Sequence, residues 1–207
     1  MKYLNFNILA GFGYILIFIL LTGVAIGSIL YDIPVYKFTA DPTASLGAHP
    51  FTGLISNIGV LLWCSTVAIC FFTFIIYRLI RKDKISIFLF FSALLSLILL
   101  IDDLFLFHEN IFPYRLHIPQ KGIYLGYGII LIGYLYSFRG LLLEFRYKIL
   151  VAAILLFGLS IGCDVFLPQE KWEYFIEDSF KILGIFSWFL FYTRTCYLIL
   201  RKESSGN

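Results

Sequence analysis

The sequence predicts an all-α integral membrane protein, a bundle of six transmembrane helices, on three observations. Of its 207 residues, 60% are hydrophobic and 14% are charged, whereas soluble domains carry about 25% charged residues. The mean hydropathy is +0.90. Six apolar runs are each long enough to cross about 30 Å of hydrocarbon, which takes about 20 helical residues. This composition excludes a soluble enzyme, a disordered chain and, since the basic residues form no continuous stripe, a nucleic-acid-binding protein.

The six predicted spans form one domain over residues 1–207. They lie at 8–30, 53–77, 85–107, 122–138, 148–167 and 175–199. Each span ends where polar or turn-forming residues begin: at the 31–52 loop, the basic cluster from Arg78, His108 and Glu109, Arg139, Pro168, and Arg201. Because lipid leaves free backbone polar groups unsatisfied, each span is predicted to be a helix. Continuous apolar runs without two-residue alternation exclude a β-barrel.

The distribution of charge predicts the orientation. Lys and Arg cluster in the loops after the second and fourth spans and after the sixth, whereas all six prolines and most acidic residues lie on the other side. The positive-inside rule therefore places both termini in the cytoplasm and the acidic ends of the spans outside. For so compact a chain we expect a bacterial plasma membrane.

Two acidic residues, Asp102 and Asp103, lie within the third span. An ionisable side chain there costs at least about 2.5 kcal/mol on insertion scales, which favours a functional role or a buried ion pair. At 100° per residue, Asp102 and Glu109 are expected on nearly one helix face. Asp103 is expected to share a face with Ser92 and Ser96.

The sixth span opens with a second charged group, Glu177, Asp178 and Lys181. The spacing lets either acid reach the lysine on a helix. Lys181 lies too deep for easy access to water, so it needs a counter-ion inside the bundle. The sequence leaves Asp102, Asp103 and Glu177 as alternatives for that partner.

These residues are predicted to converge on one outward-facing site. Its polar residues lie at similar depth: Ser56, Asn57, Asp102, Asp103, His108, Glu109, Asp164, Glu177, Asp178 and Lys181. Asp102, Asp103 and Lys181 are the candidate catalytic residues. The candidate ligands of a divalent metal ion are Asp103, His108, Glu109, Glu177 and Asp178, as oxygen and nitrogen donors that suit Mg²⁺, Mn²⁺, Fe or Zn²⁺. An interfacial cap of the third span remains the alternative for His108 and Glu109.

The stretch from Leu99 to Phe105 resembles the Leu-Leu-Asp-Glu-Leu-Pro stretch of the alkaline ceramidase family, and Ser56-Asn57 resembles its early Ser-Asn pair. That resemblance implies a polytopic zinc amidase acting on lipid amides. The family's late H-x-x-x-H pair is missing here, and this chain has six predicted spans where the family has seven. As a whole the chain resembles small bacterial polytopic membrane proteins.

Three functions remain open at this point. The first is an ion-handling membrane protein whose carboxylates bind a proton or metal cation, with Lys181 as a competing internal cation. The second is a metal-dependent hydrolase acting on a lipid, and the third is an accessory subunit of a larger membrane complex. The expected partners are the lipid bilayer and a homo-oligomer or larger complex, without nucleic acid.

Overall fold

The computed structural model describes residues 6–35, 37, 42–49, 51–145, 147–166 and 171–205. It is 87% helical and has no strand in the described residues. The helices are α1 (Phe6–Leu30), α2 (Pro42–Ser45), α3 (Leu54–Ile80), α4 (Lys84–Phe105), α5 (Phe112–Leu116), α6 (Gln120–Glu144), α7 (Lys148–Phe166) and α8 (Lys171–Ser204), with a π-helical segment at Phe107–Ile111 between α4 and α5. The chain divides into two compact units, Met1–Leu54 and Ile55–Asn207.

The first unit contains α1, which begins two residues before the first predicted span and ends with it at Leu30. Within α1, Ile17–Leu30 is an apolar helical stretch, and most of the described side chains there are exposed. Near the end of this unit, the exposed His49 accepts a hydrogen bond at Nδ1 from the backbone N–H of Phe51, at 3.3 Å.

The second unit contains five helices that are long and apolar enough to cross a membrane: α3, α4, α6, α7 and residues Tyr174–Ser204 of α8. The sequence-based predictions for these five spans are confirmed as helices, with ends that differ by a few residues. The largest differences are in α6 and α8, where polar residues beyond the apolar run continue the helix. The protein is therefore an all-helical integral membrane protein.

A compact hairpin joins α3 to α4. Asp83 caps the first turn of α4, because its Oδ1 accepts hydrogen bonds from the backbone N–H groups of Ile85 and Ser86. The Tyr77 hydroxyl donates to Asp83 Oδ2 at 2.8 Å. The cap thus satisfies free donors at the helix start and ties α4 to the end of α3.

Helix α4 ends earlier than predicted, at Phe105, because Leu106 adopts a left-handed backbone conformation with φ 52°. The chain then turns into the π-helical segment. The expectation that Asp102 and Glu109 share one face of a continuous helix is therefore wrong. Instead, the turn returns His108 to the side of Asp102.

The core between the long helices is aromatic and contains buried hydroxyl groups. Ser92, Ser96 and Asp103 are all buried, at 0%, 0% and 6% exposure, as expected for one shared face of α4. Ser96 Oγ accepts from Trp188 Nε1 at 3.0 Å. Ser92 Oγ lies 2.7 Å from the Tyr134 hydroxyl, which also accepts from Tyr192 at 2.8 Å.

Candidate functional site

The long helices of the second unit enclose a cavity of about 300 Å³. Its charged residues, Asp102, Asp103, His108, Glu177 and Lys181, lie near one end of the bundle. The walls further along the helices are apolar and include Leu95, Leu131, Ile154, Ile185 and the rings of Trp63, Phe157 and Trp188. The cavity thus has a charged end and an apolar interior.

Asp102 and His108 form an ion pair at the charged end. His108 Nδ1 lies 2.6 Å from Asp102 Oδ2, and the His108 backbone N–H donates to Asp102 Oδ1 at 3.0 Å. The Tyr127 hydroxyl also donates to Oδ1, at 2.7 Å. Both oxygens of this buried carboxylate therefore have partners, which offsets its removal from water.

The second imidazole nitrogen of His108 lies 3.3 Å from Glu109 Oε1. Burial by itself lowers the pKa of His108, but the hydrogen bonds and negative charges of Asp102 and Glu109 outweigh it and raise this pKa to about 9. In turn, the hydrogen bond from His108 lowers the pKa of Glu109, against the effect of burial. His108 is therefore a protonated imidazolium held between two carboxylates at neutral pH.

Asp103 and Lys181 form the second ion pair. Lys181 Nζ lies 2.5 Å from Asp103 Oδ1, and the two side chains are 27% and 5% exposed. Apart from this contact, neither Asp103 oxygen has a hydrogen-bond partner in the described part of the chain. Of the three counter-ions left open by the sequence, the structure selects Asp103.

A polar cluster of Gln120, Tyr124 and Asp164 lies beside the Asp102–His108 pair. Asp164 Oδ2 accepts hydrogen bonds from the Tyr124 hydroxyl and Gln120 Nε2, both at 2.9 Å. The Tyr124 ring lies 5.5 Å from the His108 ring, centroid to centroid. Asp164 thus has uncharged hydrogen-bond partners, belongs to neither ion pair and lies outside the cavity lining.

Tyr124 and Tyr127 line the cavity but were not predicted as site residues. The signal was their spacing: Gln120, Tyr124, Tyr127 and Tyr134 recur at intervals of three, four or seven residues, so they share one face of α6. That face points into the bundle, where each of these polar groups finds a partner.

Of the other residues that were predicted to form the site, only some line the cavity. Glu177 lines the cavity and is partly exposed. Asp178 is exposed and lies outside the cavity lining, as do Ser56 and Asn57. The cavity thus gathers the three candidate catalytic residues, Asp102, Asp103 and Lys181, together with His108 and Glu177.

The expected metal ligands do not form a ligand cluster. Among the described residues, no group of three or more His, Cys, Asp or Glu side chains is arranged to hold a metal ion. The five candidates were Asp103, His108, Glu109, Glu177 and Asp178. The reason is that His108 is engaged by two carboxylates and Asp103 by an ammonium group. The assignment of these five residues as metal ligands stays a prediction.

The fold and the site define a multi-pass α-helical membrane protein with a cavity that contains two ion pairs. The chain belongs to the family described as domain of unknown function DUF8692, whose family model matches residues 14–195. No curated protein and no solved structure matches the chain.

Proposed function

We propose that the protein is an ion-handling membrane protein whose cavity binds and exchanges protons at Asp102 and Asp103. The observation that supports this proposal is that two adjacent acids of one helix pair with cations from two other segments, the π-helical segment and α8. Charges within a membrane protein are costly and mark ion or proton pathways. This arrangement uses the most unusual side chains of the sequence.

The proposal includes a topology. The 25 residues of α1 are enough to cross the membrane, which makes six spans with α3, α4, α6, α7 and α8. The excess of basic residues on one side puts both termini in the cytoplasm and the two ion pairs at the outer, extracytoplasmic side of a bacterial plasma membrane. A homo-oligomer or a larger complex would complete an ion path.

The two pairs provide a simple exchange mechanism. A proton that arrives on Asp103 neutralises the carboxylate and releases the Lys181 ammonium, which is already 27% exposed. A proton on Asp102 likewise removes one of the two carboxylates that hold the His108 imidazolium and leaves it with Glu109 alone. Because each released cation is unstable in a low-dielectric cavity, the proton or another cation must leave or a counter-charge must enter.

The hydrolase and accessory-subunit alternatives have less support. A metal-dependent hydrolase requires a ligand set that the described residues do not provide. An accessory subunit would need the charged cluster only for packing, whereas the charges here line a cavity.

The proposal is tested with purified protein in proteoliposomes that contain a pH-sensitive dye. After a pH or cation gradient is imposed, we expect proton flux in the wild type and its loss in Asp102→Asn, Asp103→Asn and Lys181→Met. Glu144→Gln is the matched control, because Glu144 is an exposed acid outside the cavity lining whose Oε1 lies 3.8 Å from the exposed Lys202 Nζ.

Flux that survives all three cavity substitutions would overturn the proposal. The same would follow if Glu144→Gln abolished flux as fully as they do. A potentiometric titration of the protein in nanodiscs provides a second readout, in which the Asp102→Asn and Asp103→Asn variants bind fewer protons than the wild type.

A further inference from the structure

We propose that the cavity also binds a membrane-dissolved amphiphile, an apolar chain with one cationic amine head. This function goes beyond proton exchange, since it assigns the apolar interior of the cavity as well as its charged end. The cavity volume of about 300 Å³ is at the lower end for ligand sites, which span about 300–1,000 Å³.

The charge of the cavity lining selects the head group. Asp102 is paired with His108, and Asp103 with Lys181. Glu177 also lines the cavity, and no side chain of the described residues forms a hydrogen bond or ion pair with it. Among the acids that line the cavity, Glu177 is therefore the one without a paired cation in the described part of the chain. An amine near Glu177 supplies the missing positive charge, whereas a carboxylate or phosphate head adds a second negative charge.

The apolar walls accommodate the chain. Beyond the charged end, the helices contribute the aliphatic side chains of Leu95, Leu131 and Ile154 and a group of three aromatic rings. The rings of Trp63, Phe157 and Trp188 lie 5.9–6.2 Å apart, centroid to centroid. A polar head at Glu177 therefore leaves an attached hydrocarbon chain in contact with aliphatic and aromatic surface.

The cavity also has a route of entry from the bilayer. Its lining includes side chains of α6 and α7 that lie on the outside of the bundle, Ile130 and Ile161, which are 47% and 37% exposed. The lining of these two helices also includes Gly128 and Gly158, where an added Cβ would meet no atom within 4 Å. Because these positions face lipid in a membrane, a ligand dissolved in the bilayer reaches the cavity without passing through water.

The test uses tryptophan fluorescence. The sequence has three tryptophans, at 63, 172 and 188, so Trp172→Phe leaves the two that line the cavity. The protein in nanodiscs is titrated with dodecylamine brominated near the end of its chain, because bromine quenches a nearby indole. The alcohol and the carboxylic acid of the same chain length are the comparison probes. We expect saturable quenching, strongest with the amine.

Paired glycine variants separate binding in the cavity from partition into lipid. Gly128→Leu places a side chain in the cavity, whereas Gly133→Leu, on the same helix, adds one at a position outside the lining with equally open space. We expect quenching to be lost in Gly128→Leu and retained in Gly133→Leu. Gly158→Leu blocks the cavity from α7 and replaces Gly128→Leu if that variant fails to fold.

The head-group assignment has its own variant. Glu177→Gln is expected to weaken amine binding about tenfold, a change of ~1.4 kcal/mol, and to leave alcohol binding nearly unchanged. Equal quenching in Gly128→Leu and Gly133→Leu would overturn the proposal that the amphiphile binds in the cavity. Stronger binding of the carboxylic acid than of the amine would overturn the assignment of a cationic amine head group. Neither outcome affects the proton proposal, which is measured separately by flux.

Discussion

His108 Nδ1 lies 2.6 Å from Asp102 Oδ2, although the two residues belong to different helical segments. The contact depends on the left-handed turn at Leu106, which ends α4 and directs the chain back towards the last turn of that helix. A left-handed residue other than glycine costs roughly 1–2 kcal/mol. The ion pair and the backbone hydrogen bond from His108 to Asp102 help to offset that cost.

The first prediction concerns the pH dependence of His108. Its pKa in the folded protein is about 9, against an ordinary value of 6.5. Because folding raises this pKa, the stabilisation of the folded state by the ion pairs of His108 is fully present below about pH 6.5. It is lost as the pH rises towards 9. Thermal unfolding in detergent should therefore show a loss of stability over this interval, which His108→Gln removes.

NMR of the ¹⁵N-labelled histidine side chains tests the same assignment directly. The sequence has three histidines, and the signal missing in His108→Gln identifies the one of interest. We expect Asp102→Asn to lower the pKa of His108 towards 6.5, because a carboxylate partner is lost while burial remains. A titration near 6.5 in the wild type would contradict the prediction.

The second prediction concerns the Asp103–Lys181 pair. Lys181→Met leaves a carboxylate that is 5% exposed without its cation. We expect the free energy of unfolding to fall by up to about 3 kcal/mol. This is the lower end of the range for breaking a buried ion pair, because the lysine itself is partly exposed. Asp103→Asn should cost less, since Lys181 can reach water.

A double-mutant cycle measures the coupling between these two residues. The Asp103→Asn/Lys181→Met variant should be more stable than the sum of the single changes indicates. Additive effects would mean that the pair contributes nothing to stability. Unfolding of each variant in detergent, followed by circular dichroism, provides the free energies.

The third prediction concerns the buried hydroxyl chain. The Tyr134 hydroxyl accepts from Tyr192 and contacts Ser92, so Tyr134→Phe removes the partner of a fully buried donor. We expect it to destabilise the protein by about 1–3 kcal/mol. Tyr192→Phe should cost less, because Tyr134 keeps Ser92 as a partner. The reverse order of the two measured effects would contradict this arrangement.

The fourth prediction concerns the packing of α7 against α8. A Cβ at Gly184 would lie 2.8 Å from the ring of Phe157. That ring stacks on Trp63 at 6.0 Å, so it has little room to move. Gly184→Ala should destabilise the protein by about 1–3 kcal/mol through overpacking.

Gly133→Ala is the control for the fourth prediction, because an added Cβ meets nothing within 4 Å at that position. Removing a helical glycine there should be neutral or stabilise the protein by up to about 1 kcal/mol. Equal effects of the two substitutions would indicate that Phe157 relaxes freely.

Much of the fold could be predicted from the sequence, but much less of the site. The apolar runs predicted five long helices of the second unit, because hydrocarbon length and backbone hydrogen bonding constrain a span locally. The end of α4 was missed, since no glycine or proline marks the left-handed residue Leu106. The tyrosines of α6 were overlooked because aromatic residues are common in any membrane span.

The sequence by itself determined that the chain is helical and apolar, and that Asp102, Asp103 and Lys181 carry charge where charge is expensive. The tertiary structure alone decided that Lys181 pairs with Asp103 and that His108 returns to Asp102. The physical reason is that hydrophobicity acts along each helix separately, whereas an ion pair depends on the distance between atoms of different segments. That distance is set by packing and by the turn at Leu106.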